Sequence, residues 1–85
     1  MEDQELLHIF NKNIAYLRRT HRLTQKEMAR ILGIGTESLR KMEKGITPAK
    51  LDCFVLLRAE QHFHIPLADL MKIDLEAADS PAVAP

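Results

Sequence analysis

The chain has 85 residues, 46 % apolar and 28 % charged, with one cysteine and a formal net charge of zero. Those figures predict one globular domain near the lower size at which a single core suffices, and they argue against disorder. The lone Cys53 excludes an internal disulfide framework and a four-cysteine metal site.

No window is long or apolar enough to span a membrane, and the opening MEDQE is acidic where a secretory leader would be basic. A soluble, cytoplasmic chain is therefore expected. Zero net charge hides a strong polarity. From Lys12 to Lys50 there are ten Lys/Arg against three acids, and the rest of the chain holds two basic and nine acidic residues. One stretch is suited to an anionic polymer, the alternative being a solvated charged face.

In chain order, Leu6, Phe10, Ile14 and Leu17 recur at helical spacing and predict a first helix from about Asp3 to His21. Glu2, Asp3 and Glu5 at its start and Arg18, Arg19 and Arg22 at its end complement the helix dipole. Thr24 and Glu27 form a T-x-x-E capping box that opens a second helix, which Gly33 stops. A third helix runs from about Gly35 to Lys44 and ends at Gly45. Thr47 and Pro48 cap and start a fourth, reaching Phe63, with Leu51, Phe54, Val55, Ala59 and Phe63 as its expected inward stripe. After a break at His64–Ile65, a short fifth helix covers Pro66 to about Ile73. The closing DLEAADSPAVAP has no sustained apolar stripe and reads as a flexible tail, so the division expected is a domain over 1–73 and a tail over 74–85. No segment alternates with period two. The predicted fold is an all-α, compact five-helix bundle.

Helices two and three are too short to be stable alone, so the core must hold them, which frees their outer faces for other work. The segment TQKEMARILGIGTESLRKMEKG, residues 24–45, has the helix, turn, helix spacing of a DNA-binding motif. It resembles the helix-turn-helix of phage-repressor-like regulators, the lambda/434 repressor and Cro superfamily or Xre family. The resemblance rests on Gln25 opening helix two, on small Ala29, on Gly33 in the turn, and on the apolar positions Met28, Leu32, Ile34, Leu39 and Met42. LRRTHRLTQ before it, MEKG at its end and HFHIPLADLM later extend the likeness to roughly residues 10–72.

That resemblance implies a lambda repressor-like domain and residue roles. Thr36, Glu37 and Lys41 match positions that reach base edges, and lysine to guanine O6/N7 is natural chemistry. Gln25 resembles an anchor for a phosphate, while Arg40, Lys44, Thr47 and Lys50 are candidates for further phosphate contacts. Glu37 keeps two readings: an acceptor for cytosine N4, or an i, i+4 partner of Lys41. Arg18 and Glu43 fall where the family pairs a helix-one arginine with a helix-three glutamate, an expected structural ion pair. Gly35 stands where a Ser or Thr cap is common, which removes a cap hydrogen bond.

Cys53 and Leu57, four apart, lie off the inward stripe of helix four and mark either a dimer contact or a surface covered by helix five or the tail. His62 and His64 make a poor zinc set and read as surface residues. No metal, cofactor or small-molecule ligand is evident, and no catalytic constellation argues for an enzyme. The expected function is a sequence-specific transcriptional regulator that inserts helix three in the major groove of double-stranded operator DNA, as a homodimer on two half-sites. The alternative keeps the fold as a protein-interaction module of antitoxin or anti-repressor type, with weak or no DNA binding.

Overall fold

The computed structural model describes residues 3–46 and 53–78. Among them are six helices: α1 (Asp3–Thr20), α2 (Gln25–Leu32), α3 (Thr36–Glu43), α4 (Cys53–Phe63), α5 (Leu67–Lys72) and α6 (Leu75–Ala78). No described residue lies in a strand. The long α1 is the spine: it packs on α3, α5 and α6, while α2 lies between α3 and α4, and α4 closes on α5. The core joins Phe10, Ile14 and Leu17 of α1 to Met28, Ala29 and Leu32 of α2, Leu39 and Met42 of α3, Val55 and Ala59 of α4 and Leu70 of α5. The periodic apolar positions of α1, α2 and α3 thus face inward for the reason amphipathic helices always do: burial of those side chains supplies the stability that eight-residue helices lack.

Local chemistry fixes where α1, α2 and α3 end. Thr24 Oγ1 accepts from the Glu27 amide at 3.0 Å and the Thr24 amide donates to Glu27 Oε1 at 2.8 Å, completing the capping box. The Thr24 backbone N–H, and then its hydroxyl, hold the Glu27 carboxyl below the usual carboxylate range. At the other end of α2, Gly33 has φ +74, and paired bonds from Gly33 N to Arg30 O and Ile34 N to Ala29 O close a Schellman turn. The end of α3 repeats that arrangement around Gly45, φ +87, with Gly45 N to Met42 O and Ile46 N to Lys41 O. Arg22, φ +55, makes the same turn after α1 without a glycine, which sequence inspection does not suggest. His64 also has positive φ, +56, and its amide donates to Glu60 O. This is the left-handed exit that glycine would make with less strain.

Two expectations change. Phe54 is not part of the inward stripe of α4 but is 60 % exposed, because the buried positions Val55 and Ala59 set the inward direction and Phe54 is turned well away from both. Leu56 and Phe63 are half-buried against the core. Thr47, Pro48, Lys50 and Leu51 lie outside the described residues. The second change is α6, a helical turn inside the segment read as tail. Its anchor is Asn13, fully buried on α1. Nδ2 donates to the carbonyls of Leu70 and Ile73, both at 2.7 Å, and Oδ1 accepts from the Leu75 amide at 3.0 Å. One side chain so joins α1 to the end of α5 and the start of α6, with Leu75 packed against the core. A polar residue amid Phe10, Ile14 and Leu17 is the signal that reveals it, since a buried amide must find partners.

Removing that side chain leaves two carbonyls and one amide without their partner. Asn13→Ala is expected to cost about 1–3 kcal/mol, read as a lower urea midpoint with an unchanged slope. An unchanged midpoint would mean that the α5–α6 segment contributes nothing to stability.

Candidate nucleic-acid interface

The helix pair α2–α3 presents one face to the core and one to solvent. Leu39 and Met42 are fully buried, which orients α3. Glu37, Arg40, Lys41 and Lys44 stand exposed on its other side, and Thr36 is half-buried at its first turn. Gly35 precedes α3 in an extended conformation, φ −77, with no side-chain cap and open space where a Cβ would project. The turn before it is tightly braced. A Cβ on Gly33 would lie 1.8 Å from Nη1 of Arg58, so the α4 guanidinium lies directly over the turn, where it also complements the C-terminal dipole of α2.

A single carboxylate positions the face. Arg18 Nε donates to Glu43 Oε2 at 2.6 Å and Arg18 Nη2 to Oε1 at 3.0 Å, a bidentate pair with side chains 21 % and 12 % exposed. Gln25 Nε2 donates to the same Oε1 at 3.2 Å, and Arg18 Nη1 to the Leu23 carbonyl at 3.1 Å. Three helices and the α1–α2 connection therefore meet at Glu43. The pairing implied by resemblance is present as geometry. Gln25, read as a phosphate anchor, is half-buried and spends its amide on Glu43.

The ion-pair partner of Glu37 differs from the i, i+4 one expected. The Glu37 carboxylate is 3.3 Å from Arg40 Nη1, one helical turn away at i, i+3, and not paired with Lys41. Both side chains are well exposed, so the pair contributes little to stability. Its effect is to tie up Arg40 and leave Lys41 and Lys44 without an ion-pair partner among the described residues. Thr47 and Lys50 fall outside the described residues.

Beyond α3 the surface holds a second feature. Cys53 is exposed, Leu57 is 40 % exposed, and with Phe54 they form an apolar patch on α4, with Ile46 also 54 % exposed before it. Helix α5 leaves Cys53 and Leu57 exposed. His21 and Phe63 meet edge to face at 5.0 Å, as do His62 and Phe63 at 4.8 Å. Among the described residues no group of three or more His, Cys, Asp or Glu is placed to hold a metal ion. No described helix is long and apolar enough to cross a membrane.

A short helix pair turned on a glycine, locked by an arginine–glutamate bridge and carrying basic residues outward, defines a helix-turn-helix protein. The helix-turn-helix family profile matches residues 14–70, and the chain belongs to that phage-repressor-like family. A curated relative, the antitoxin PezA of Streptococcus pneumoniae serotype 4 (strain ATCC BAA-334 / TIGR4), is 36 % identical over 66 residues, covering 78 % of this chain and 40 % of that protein. The chain thus spans about two fifths of the length of that relative. No solved structure matches the chain significantly.

The Glu43 junction generates a stability prediction. Arg18→Ala leaves a largely enclosed carboxylate without its main partner and is expected to cost about 2–3 kcal/mol, somewhat under the ~3–5 of a fully buried pair. Arg18→Met with Glu43→Leu should recover most of that loss in thermal or urea unfolding. Equal losses in the single and double variants would contradict the pairing.

Proposed function

We propose that this chain is a sequence-specific DNA-binding regulator whose α3 enters the major groove of an operator. The observation carrying this reading is the exposed cationic side of α3, with Lys41 and Lys44 unpaired among the described residues, on a helix fixed by Arg18, Glu43 and Gln25. The major groove admits one α-helix and presents a distinct donor and acceptor pattern for each base pair. Lys41 is the residue assigned to a guanine edge, with Thr36 and Glu37 beside it at the helix start. Arg40 and Lys44 supply phosphate contacts, with Thr47 and Lys50 assigned the same role. Gln25 would reach a phosphate by exchanging its bond to Glu43, or contribute through its position alone. Two copies joined through the Cys53–Leu57 face of α4 would present two reading helices to paired half-sites about one DNA turn apart. The reading gives the chain no catalytic role, cofactor or small-molecule ligand, and places it in the cytoplasm with the nucleoid.

A second reading is favoured by one comparison. The relative named an antitoxin suggests that a protein partner is bound, and the apolar α4 patch would then be its contact. Selection of bound sites from random duplex DNA separates the two. The DNA reading predicts enrichment of a motif, with binding that weakens log-linearly with salt. On the enriched site, Lys41→Ala should lose about 1–3 kcal/mol and relax one base position. Failure to enrich any sequence at moderate salt would favour the protein-partner reading. For the dimer, Leu57→Asp should shift sedimentation of the parent from dimer to monomer. A parent already monomeric at high concentration would refute the α4 seam.

A further inference from the structure

Beside the α3 face lies a cleft of about 310 Å³ between α1, the end of α3 and α6. Its walls include Lys12 and Arg19 of α1, Lys44 just after α3, and Glu76 of α6. Lys12 and Arg19 are seven apart and so share one side of α1. The cleft is continuous with the reading surface, because Glu43, the carboxylate that holds Arg18 and Gln25, also lines it.

Two of these cations, Lys12 and Arg19, are already engaged by acids from one short segment. Lys12 Nζ donates to Asp74 Oδ2 at 2.6 Å, and Arg19 Nη2 is 3.6 Å from Glu76 Oε1. The segment is held over them by the Asn13 bonds, and Asp74 Oδ1 also accepts from the Ala77 amide at 3.2 Å. All four charged side chains are a third or more exposed to solvent. Such pairs are weak and readily exchanged. A duplex phosphate at these donors would replace the carboxylates with the added gain of counterion release.

We infer that the Lys12–Arg19–Lys44 cleft is a further docking point for a DNA backbone phosphate, two of whose cations, Lys12 and Arg19, are held in the free protein by the carboxylates of Asp74 and Glu76. The assignment rests on the DNA-binding reading above. It extends the contact surface from α2 and α3 onto α1 and makes α6 an internal competitor that moderates affinity for any sequence. In this arrangement the zero net charge of the chain has a specific consequence: part of its acid is placed directly on part of its base.

The test is a salt titration of duplex binding by the whole chain and three variants, followed by fluorescence anisotropy. Asp74→Asn with Glu76→Gln should bind several-fold tighter near 0.1 M salt, and its log–log salt slope should steepen by about 1–2, or roughly 0.9 per phosphate gained. Lys12→Ala with Arg19→Ala should cost several-fold more in that background than in the parent. Additive effects, or a gain that survives loss of Lys12 and Arg19, would reduce the result to bulk charge and overturn the docking point. A second measurement needs no substitution. The Ala77 amide resonance of the parent should shift on adding duplex as Asp74 is displaced, and an unmoved Ala77 would contradict the exchange. Parent protein that binds no duplex at any salt would remove the DNA reading and this inference together, whereas additive variants of a binding parent would remove this inference alone.

Discussion

Three helix segments of this small domain are tied to one carboxylate. Glu43 lies at the end of α3, takes a bidentate pair of bonds from Arg18 of α1, and accepts a third bond from Gln25 at the start of α2. Helices α2 and α3 have eight residues each and would not persist alone. Apolar burial of Met28, Leu32, Leu39 and Met42 presses them to the core, but apolar contact is tolerant of small rotations and shifts. A planar guanidinium against a carboxylate is not. The junction therefore converts a hydrophobic association into a defined orientation, and the outward direction of Lys41 and Lys44 follows from it. The Schellman turns at Gly33 and Gly45 fix both ends of that piece, and Arg58 lying over Gly33 ties the turn to α4.

A second junction does similar work earlier on α1. Asn13 satisfies the carbonyls of Leu70 and Ile73 and the amide of Leu75, so the chain after α5 folds back along α1. That return brings acidic residues beside basic ones. The Lys12–Asp74 hydrogen bond, and then the attraction between the two charges, raises the Lys12 pKa; the bond from Lys12, then that from the Ala77 amide, lowers Asp74. The charge polarity seen along the sequence is thus partly folded up in space. Lys41 and Lys44, on the outer side of α3, keep no acid partner among the described residues, and the functional reading places the ligand there.

The fold was legible wherever a local rule sufficed. The capping box at Thr24, the glycine stops and the helical spacing of Phe10, Ile14 and Leu17 each act within a turn or two, so sequence spacing reveals them. Membership of the helix-turn-helix family was readable for the same reason, since the motif is a compact run of residue types. Less legible were features that depend on partners distant in sequence. Asn13 finds its partners about 60 residues away, so a polar residue amid the apolar stripe of α1 signals that a partner must exist without saying which segment supplies it. Phe54 looked inward because it is apolar, but Val55 and Ala59 decide which side of α4 faces the core. On α3, the ion-pair partner read for Glu37 was Lys41 at i, i+4, and the contact made is instead with Arg40 at i, i+3. Arg22 shows the limit of reading left-handed turns from glycine alone, whereas the left-handed exit at His64 is readable from its place at a helix end.

The central claim is that the exposed side of α3, held out by the Glu43 junction, is the surface that meets DNA. Amide shifts of the isotope-labelled chain during titration with its selected duplex test this most directly. The account predicts that the largest changes fall on Gln25, on Thr36 to Lys41 and on Lys44, while Val55 and Ala59 in the core stay in place. Changes confined to Cys53, Phe54 and Leu57 on α4, or none at a duplex concentration that saturates retention, would contradict it.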